Sequence, residues 1–156
     1  MNLRFVIMFA LAIVLSATAF AGEPDYTIKA PDGWKKRATS SVPEHYMKNG
    51  VSMMLTIDSA PPQAKTLDAY VEFAKQQLET AFKNVQFEPV TKLTINGNDA
   101  RELKYTGEVS GMKMKYDVVY IAKLPKVYTM TAGGLATTFD AMKAEYAAFF
   151  NSFKFK

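Results

Sequence analysis

The segments between residues 90 and 132 constrain the fold of this chain more than any other feature. Apolar and polar residues alternate along them, which is the period of a half-buried strand. Short turns at Asn96-Gly97, Ser110-Gly111 and Leu124-Pro125 join one segment to the next. Turns this short join only antiparallel strands. The sequence therefore predicts a meander of strands over residues 90–95, 98–109, 112–123 and 127–132.

Two more strands and an opening strand are predicted before residue 60. Residues 44–48 and 51–59 flank Asn49-Gly50, a pair that favours the positive φ values of a tight hairpin turn. Residues 26–30 alternate and stop at Pro31-Asp32-Gly33, which is a turn signal.

Two amphipathic helices are also predicted. The first begins at Thr66, and its apolar positions repeat with the helical period: Leu67, Tyr70, Val71, Ala74, Leu78, Ala81 and Phe82. In the second, Thr137 and Asp140 have the spacing of a capping box, and the apolar stripe continues to Phe153. Strands, helix, strands and helix in this order predict an α+β domain with helices packed on an antiparallel sheet.

The first 21 residues have the pattern of a secretory signal peptide. A single basic residue, Arg4, precedes an unbroken apolar run from Phe5 to Leu15, and Ala19-Phe20-Ala21 fits a cleavage site. The run is too short to span a membrane. We therefore expect cleavage after Ala21, a single domain over residues 22–156, and a soluble product in the periplasm or outside the cell.

Four segments resemble the PsbP-like and DcrB-like exported proteins. They are the opening strand with its Pro-x-Gly-Trp turn ending at Trp34, and residues 66–70, 95–100 and 149–155. The resemblance implies an α/β/α sandwich around a six- or seven-stranded antiparallel sheet. It implies no catalytic residues and no cofactor, because the known relatives are mostly non-enzymatic. Unlike the lipoprotein branch, this chain has no cysteine to carry a lipid.

Catalytic chemistry is sparse in the sequence. His45 is the only histidine, and the absence of cysteine excludes disulfides and thiol catalysis. No nucleophile elbow, phosphate loop or zinc-protease motif occurs. The carboxylates show no close pair on one strand face, although a pair could still assemble in three dimensions, as a hydrolase would require. We expect a protein that is not an enzyme.

Methionine is the sharpest anomaly of the composition. Met47 lies two residues after His45, Met53 and Met54 are adjacent, and Met112 and Met114 share one strand face. Thioethers and imidazole are soft ligands that suit Cu(I). His45, Met47, Met112 and Met114 are therefore candidate metal ligands, whereas the competing interpretation is that the methionines fill the core.

The formal net charge is +4, and Lys35-Lys36-Arg37 form a small basic run. For an exported protein, nucleic acid is not the expected partner, whereas an anionic membrane surface offers a weak contact. The sequence thus favours a non-catalytic accessory protein of the bacterial envelope that binds an unknown envelope protein or small ligand. The alternative is a periplasmic Cu(I)-handling protein that uses methionines and His45.

Overall fold

The computed structural model describes residues 23–38 and 42–156. The expected signal peptide over residues 1–21 lies outside them. In chain order the elements are β1 (Tyr26–Thr27), β2 (Lys35–Lys36), β3 (Glu44–Lys48), β4 (Val51–Ser59), α1 (Leu67–Ala81), β5 (Lys83–Phe87), β6 (Thr91–Ile95), β7 (Asn98–Val109), β8 (Met112–Lys123), β9 (Lys126–Leu135), α2 (Ala136–Phe139), α3 (Lys143–Asn151) and β10 (Lys154–Phe155). A 3-10 turn, Asp140–Met142, separates α2 from α3.

The main sheet is antiparallel throughout, with the order β2-β3-β4-β9-β8-β7, and β7 pairs at its outer edge with both β5 and β6. The predicted α+β class is confirmed. The expected count of six or seven strands is wrong, because this sheet has eight. The long strand β7 has room for two short partners in succession: β6 pairs with residues 98–102, and β5 pairs with residues 105–108.

The opening strand does not join this sheet. Only Tyr26 and Thr27 are in strand conformation, and they pair with β10 to form a separate two-stranded ribbon. The ribbon packs its rings against the end of the main sheet, where Tyr26 stacks on Phe153 with ring centroids 5.9 Å apart. The two ends of the described chain are thereby held together.

Helix α1 covers the part of one sheet face formed by β5, β7 and β8. Thr66 caps the helix as predicted, because its side chain accepts a hydrogen bond from Ala69 N at 3.1 Å. We call the apolar residues under α1 the α1-face cluster; its fully packed members include Leu67, Tyr70, Val71, Phe82, Leu103, Tyr105, Met114, Tyr116, Val118 and Tyr120. Leu78 is only half-buried, so the predicted apolar stripe of α1 is most deeply buried at the start of the helix.

The second helix lies on the opposite face, and it is broken rather than continuous as predicted. The 3-10 turn interrupts it after Phe139, although the apolar spacing continues through the break. The α3-face cluster includes Val51, Met53, Leu55, Val119, Ile121, Tyr128, Met130, Phe139, Tyr146, Phe149 and Phe153. Because both faces of β8 are buried, the domain has three layers, with the sheet between α1 and α3.

Gly133 is the position where close packing requires a glycine. The ring of Tyr116 crosses β9 at this point, and a Cβ on Gly133 would lie 2.5 Å from two of its ring carbons. No helix among the described residues is long and apolar enough to cross a membrane.

Candidate functional site

The α3 face of the sheet holds a buried carboxyl group in an otherwise apolar layer. Asp117 lies in the middle of β8 and is only 3% exposed. Its Oδ1 atom is buried and makes no hydrogen bond to any described residue. Tyr146 of α3 lies close enough for its hydroxyl to interact with the Asp117 carboxyl. A buried polar atom without a partner is uncommon in native proteins and calls for an explanation.

A second carboxyl group lies beside the first. In the β7–β8 pairing, Lys104 is opposite Asp117 and Glu102 is opposite Val119, so Glu102 is a diagonal neighbour of Asp117 on the same face. The two carboxyl groups lie close enough to interact. Lys104 Nζ lies 2.9 Å from Glu102 Oε2. Asp117 and Glu102 thus form a carboxyl pair, and the positive charge of Lys104 partly offsets their negative charge.

This environment raises the pKa of Asp117 to about 7. Burial is the largest cause, because it disfavours the charged form, and the negative charge of Glu102 acts in the same direction. The nearby Lys104 and Lys143 oppose the rise. Asp117 therefore exchanges its proton near neutral pH, which is a common property of functional sites.

The sequence analysis missed this pair, since it found no close carboxylates on one strand face. Glu102 and Asp117 are on different strands, and only the register of the hairpin brings them together. That register was accessible: a two-residue turn at Ser110-Gly111 places residue 109 opposite 112 and hence 104 opposite 117. Counting residues back along the two strands from this turn would have predicted that Asp117 and Glu102 are neighbours.

His45 lies far from this pair, near the edge of the sheet and on the α1 side. Its Nε2 atom is 2.9 Å from Ser52 Oγ, and both residues are buried. Burial lowers the pKa of His45, with a further contribution from the positive charge of Arg37, so the imidazole is neutral at pH 7. Ser52 was not among the predicted residues. It lies on the neighbouring strand β4 as a diagonal neighbour of His45.

The four candidate metal ligands do not form one set. His45 and Met47 are on β3, Met112 and Met114 are on β8, and β4 and β9 lie between these strands. Three strand spacings separate the pairs by about 14 Å. Met114 belongs to the α1-face cluster, and Met112 packs against it. No three histidine, aspartate or glutamate side chains in residues 23–38 and 42–156 are grouped as a metal site.

A third polar cluster fixes α1 to the sheet. Asp58 of β4 accepts hydrogen bonds from the hydroxyls of Tyr70 and Thr56, the latter at 3.3 Å. Burial raises the pKa of Asp58, and these hydroxyls partly offset the rise. Near the start of the same helix, Arg101 donates to Asp68 at 2.6 Å. These contacts orient the first turns of α1.

Comparison with known proteins identifies the fold. No protein-family model and no curated protein sequence matches the chain. Among solved structures, LpqN, involved in cell envelope biogenesis of Mycobacterium tuberculosis, matches with a TM-score of 0.64 at 14% identity, covering 87% of this chain and 86% of LpqN. A protein of unknown function from Pseudomonas aeruginosa matches with a TM-score of 0.60 at 16% identity, covering 83% of this chain and 96% of that protein.

Cyanobacterial PsbP from Synechocystis is similar over 91% of this chain and 99% of its own, with a TM-score of 0.57 at 13% identity. The chain has the PsbP fold. The resemblance seen in the sequence is therefore confirmed in the structure. In this PsbP fold Trp34 belongs to the α3-face cluster, and its Nε1 donates to Glu145 Oε2 at 2.6 Å. Trp34 packs in the core and connects the Pro-x-Gly-Trp turn to α3.

Proposed function

We propose that the chain is an exported binding protein of the bacterial envelope that acts without catalysis. The likeness to LpqN supports an envelope setting, and the sequence pattern of residues 1–21 supports export. A shared fold alone does not specify a ligand, so the ligand chemistry has to come from the site.

The buried Asp117 oxygen is the observation that carries this proposal. A ligand or partner segment that offers an N–H or O–H donor would give Oδ1 the hydrogen bond it lacks. The surroundings suit a polar molecule, because Glu102, Lys104 and Lys115 are each only partly exposed along the same face. Such a ligand would enter beside Tyr146, between α3 and the outer strands.

The geometry of the pair favours binding over hydrolysis. A hydrolase that uses two carboxylates needs the scissile bond between them, and one of them must be free to act as nucleophile or base. Here the two carboxyl groups are diagonal neighbours that interact with each other, and Lys104 Nζ lies 2.9 Å from Glu102 Oε2. Substrate could not lie between them without separating the pair.

The test asks whether the protein removes a compound from solution by binding it or converts the compound into a product. The protein, expressed from its full gene and purified from the envelope fraction, is incubated with small molecules extracted from that fraction and followed by mass spectrometry over time. We expect one class of compound to be depleted by at most one equivalent, without further change. Asp117→Asn should lose the depletion, and Asp32→Asn, an exposed aspartate, should keep it.

Two results would contradict the proposal. A product that accumulates beyond one equivalent and disappears in Asp117→Asn would make the chain an enzyme. Equal depletion by the wild type and by Asp117→Asn would place the ligand elsewhere on the molecule.

We also propose a weak contact with an anionic membrane surface, at a different place from the Lys35-Lys36-Arg37 run. Leu124, at the tip of the β8–β9 hairpin, is 45% exposed, and Lys123 and Lys126 flank it. Insertion of one leucine and attraction of the nearby lysines together contribute a few kcal/mol at most to the free energy of membrane binding. Each lysine contributes about 1 kcal/mol of this. Sedimentation with phosphatidylglycerol vesicles should retain the wild type more than Leu124→Ser, and phosphatidylcholine vesicles should retain neither. Equal retention of the two proteins would contradict this contact.

A further inference from the structure

The methionines of the described chain divide into two groups by what they contact. Met53, Met130 and Met142 belong to the α3-face cluster, Met114 belongs to the α1-face cluster, and Met112 packs against the latter. Met47 and Met54 pack against neither cluster. Packing in these clusters accounts for five thioethers, whereas Met54 is buried, at 6% exposed, outside both clusters and Met47 is half-buried.

Met47 and Met54 lie beside His45. In the β3–β4 pairing, His45 is directly opposite Met54, and Met47 is directly opposite Ser52. Side chains opposite each other in an antiparallel pair share a face, with Cβ atoms about 4.5–5.5 Å apart, and diagonal neighbours are about 7–8 Å apart. The flexible thioether arms of Met47 and Met54 can thus reach the imidazole from two sides.

The Ser52 hydrogen bond fits a ligand role for His45. A metal-binding histidine usually donates its other ring N–H to a hydrogen-bond acceptor, which fixes the tautomer. With Nε2 bonded to Ser52 Oγ at 2.9 Å, Nδ1 is the nitrogen that a metal ion would use.

We propose that His45, Met47 and Met54 bind a soft monovalent cation, with Cu(I) as the ion of the required chemistry. Two thioethers and one imidazole make a neutral, soft ligand set, which selects Cu(I) over hard cations such as Mg²⁺ and Ca²⁺. The nearby positive charge of Arg37 opposes any bound cation, and it opposes a divalent ion more than a monovalent one. Met54 thus replaces Met112 and Met114 in the ligand set that the sequence predicted.

The adjacent pair Met53 and Met54 provides a matched control, because their side chains point to opposite faces of β4. The protein, purified from its full gene, is labelled at the methionine methyl carbons and titrated with Ag(I), a stable mimic of Cu(I). We expect the Met47 and Met54 methyl signals and the single imidazole to shift, whereas the Met53 signal stays. Oxygen-free competition with a coloured Cu(I) chelator then measures the affinity.

We expect Met54→Leu to weaken Cu(I) binding by about 10-fold or more, since even outer-shell partners of metal ligands act on that scale. Met53→Leu and the double variant Met112→Leu/Met114→Leu should bind as the wild type does. A thermal melt of each apo variant separates loss of the site from loss of the fold.

The proposal would be overturned if the wild type did not compete with the chelator, if Met53→Leu and Met54→Leu lost affinity equally, or if the Met112/Met114 double variant abolished binding. None of these results bears on the Asp117 pair, which lies on the other face of the sheet.

Discussion

Each face of the sheet holds a carboxyl group, half-buried Asp58 on the α1 face and buried Asp117 on the α3 face, and their surroundings differ. On the α1 face, Asp58 accepts hydrogen bonds from Tyr70 and Thr56. On the α3 face, Asp117 has a second carboxyl group as its neighbour, and its Oδ1 has no partner among the described residues. Burial raises the pKa of both; Asp58 interacts with hydroxyls on the adjacent helix and on its own strand, whereas Asp117 has the Tyr146 hydroxyl on its adjacent helix and the Glu102 carboxyl group on the next strand. The contrast separates a carboxyl group whose neighbours are hydroxyl donors from one that has a second carboxyl group beside it and one oxygen without a partner among the described residues.

The largest effect should come from the apolar packing that distinguishes the two faces. Phe149 of α3 is completely buried, whereas Leu78 of α1 is half-buried. Phe149→Ala should lower the free energy of unfolding by about 3–5 kcal/mol. Leu78→Ala should lower it by about 1 kcal/mol, because less apolar surface is lost from the core. Urea unfolding of both variants measures the difference, and equal losses would show that the two faces are packed alike.

The next effect concerns the satisfied carboxylate. Asp58→Ala leaves the buried Tyr70 hydroxyl without its acceptor and removes the partner of Thr56. The variant should be destabilised by about 1–3 kcal/mol. Urea unfolding at pH 7 checks the value, with Asp32→Ala as an exposed control. If Asp58→Ala unfolded at the same urea concentration as the wild type, the Tyr70 contact would not fix α1.

Unlike Asp58, Asp117 should make the folded protein less stable at alkaline pH, where its carboxyl group is ionised. Its pKa in the folded state, about 7, is above the ordinary value of 3.8, so the unfolded state releases the proton first. The contribution of Asp117 to stability is therefore full below pH 4 and is lost as the pH rises through 7. Between pH 5 and pH 8 the wild type should lose about 2–3 kcal/mol relative to Asp117→Asn.

Thermal or urea unfolding of both proteins across that pH range measures this difference. Asn cannot ionise, so Asp117→Asn should show a flatter profile and should be the more stable protein at pH 8. Parallel profiles for the two proteins would mean that Asp117 titrates far from neutrality.

The smallest effect should come from the exposed ion pair on the α3 face. Lys115 Nζ lies 2.8 Å from Asp140 Oδ1, and the Asp140 side chain is 66% exposed. Exposed pairs contribute about 0.2–1 kcal/mol, and salt screens them. Lys115→Ala should shift the melting temperature only slightly, and less so in 1 M salt. A large, salt-independent shift would indicate that Lys115 belongs to the buried network of Asp117.

Much of the sheet was predictable because its determinants are local. The Asn-Gly and Ser-Gly turns fix the hairpins, and the structure places positive φ angles at Asn49, Asn96 and Ser110, where these turns need them. The short strand β5 was missed because residues 83–87 follow α1 without a turn signal, and they are strand only because β7 extends past β6. The opening strand is shorter than predicted, and its pairing could not be predicted because its partner, β10, lies at the far end of the chain.

The polar sites were less predictable, since they depend on which strands become neighbours. The Asp117–Glu102 pair follows from the register of a single hairpin and could have been found by counting. The separation of His45 and Met47 from Met112 and Met114 could not, because β9 inserts between β4 and β8 only through long-range pairing. Loop lengths and alternation do not specify that order.

Carbon-13 NMR of the side-chain carboxyl of Asp117, titrated from pH 3 to pH 9 in the wild type and assigned by comparison with Asp117→Asn, tests most directly whether this carboxyl group is held protonated inside the sheet. We expect a midpoint near 7, well above that of exposed aspartates in the same spectrum. A midpoint at the ordinary value of 3.8 would show that Asp117 is charged and fully solvated or paired, and the binding site proposed on the α3 face would then have no basis.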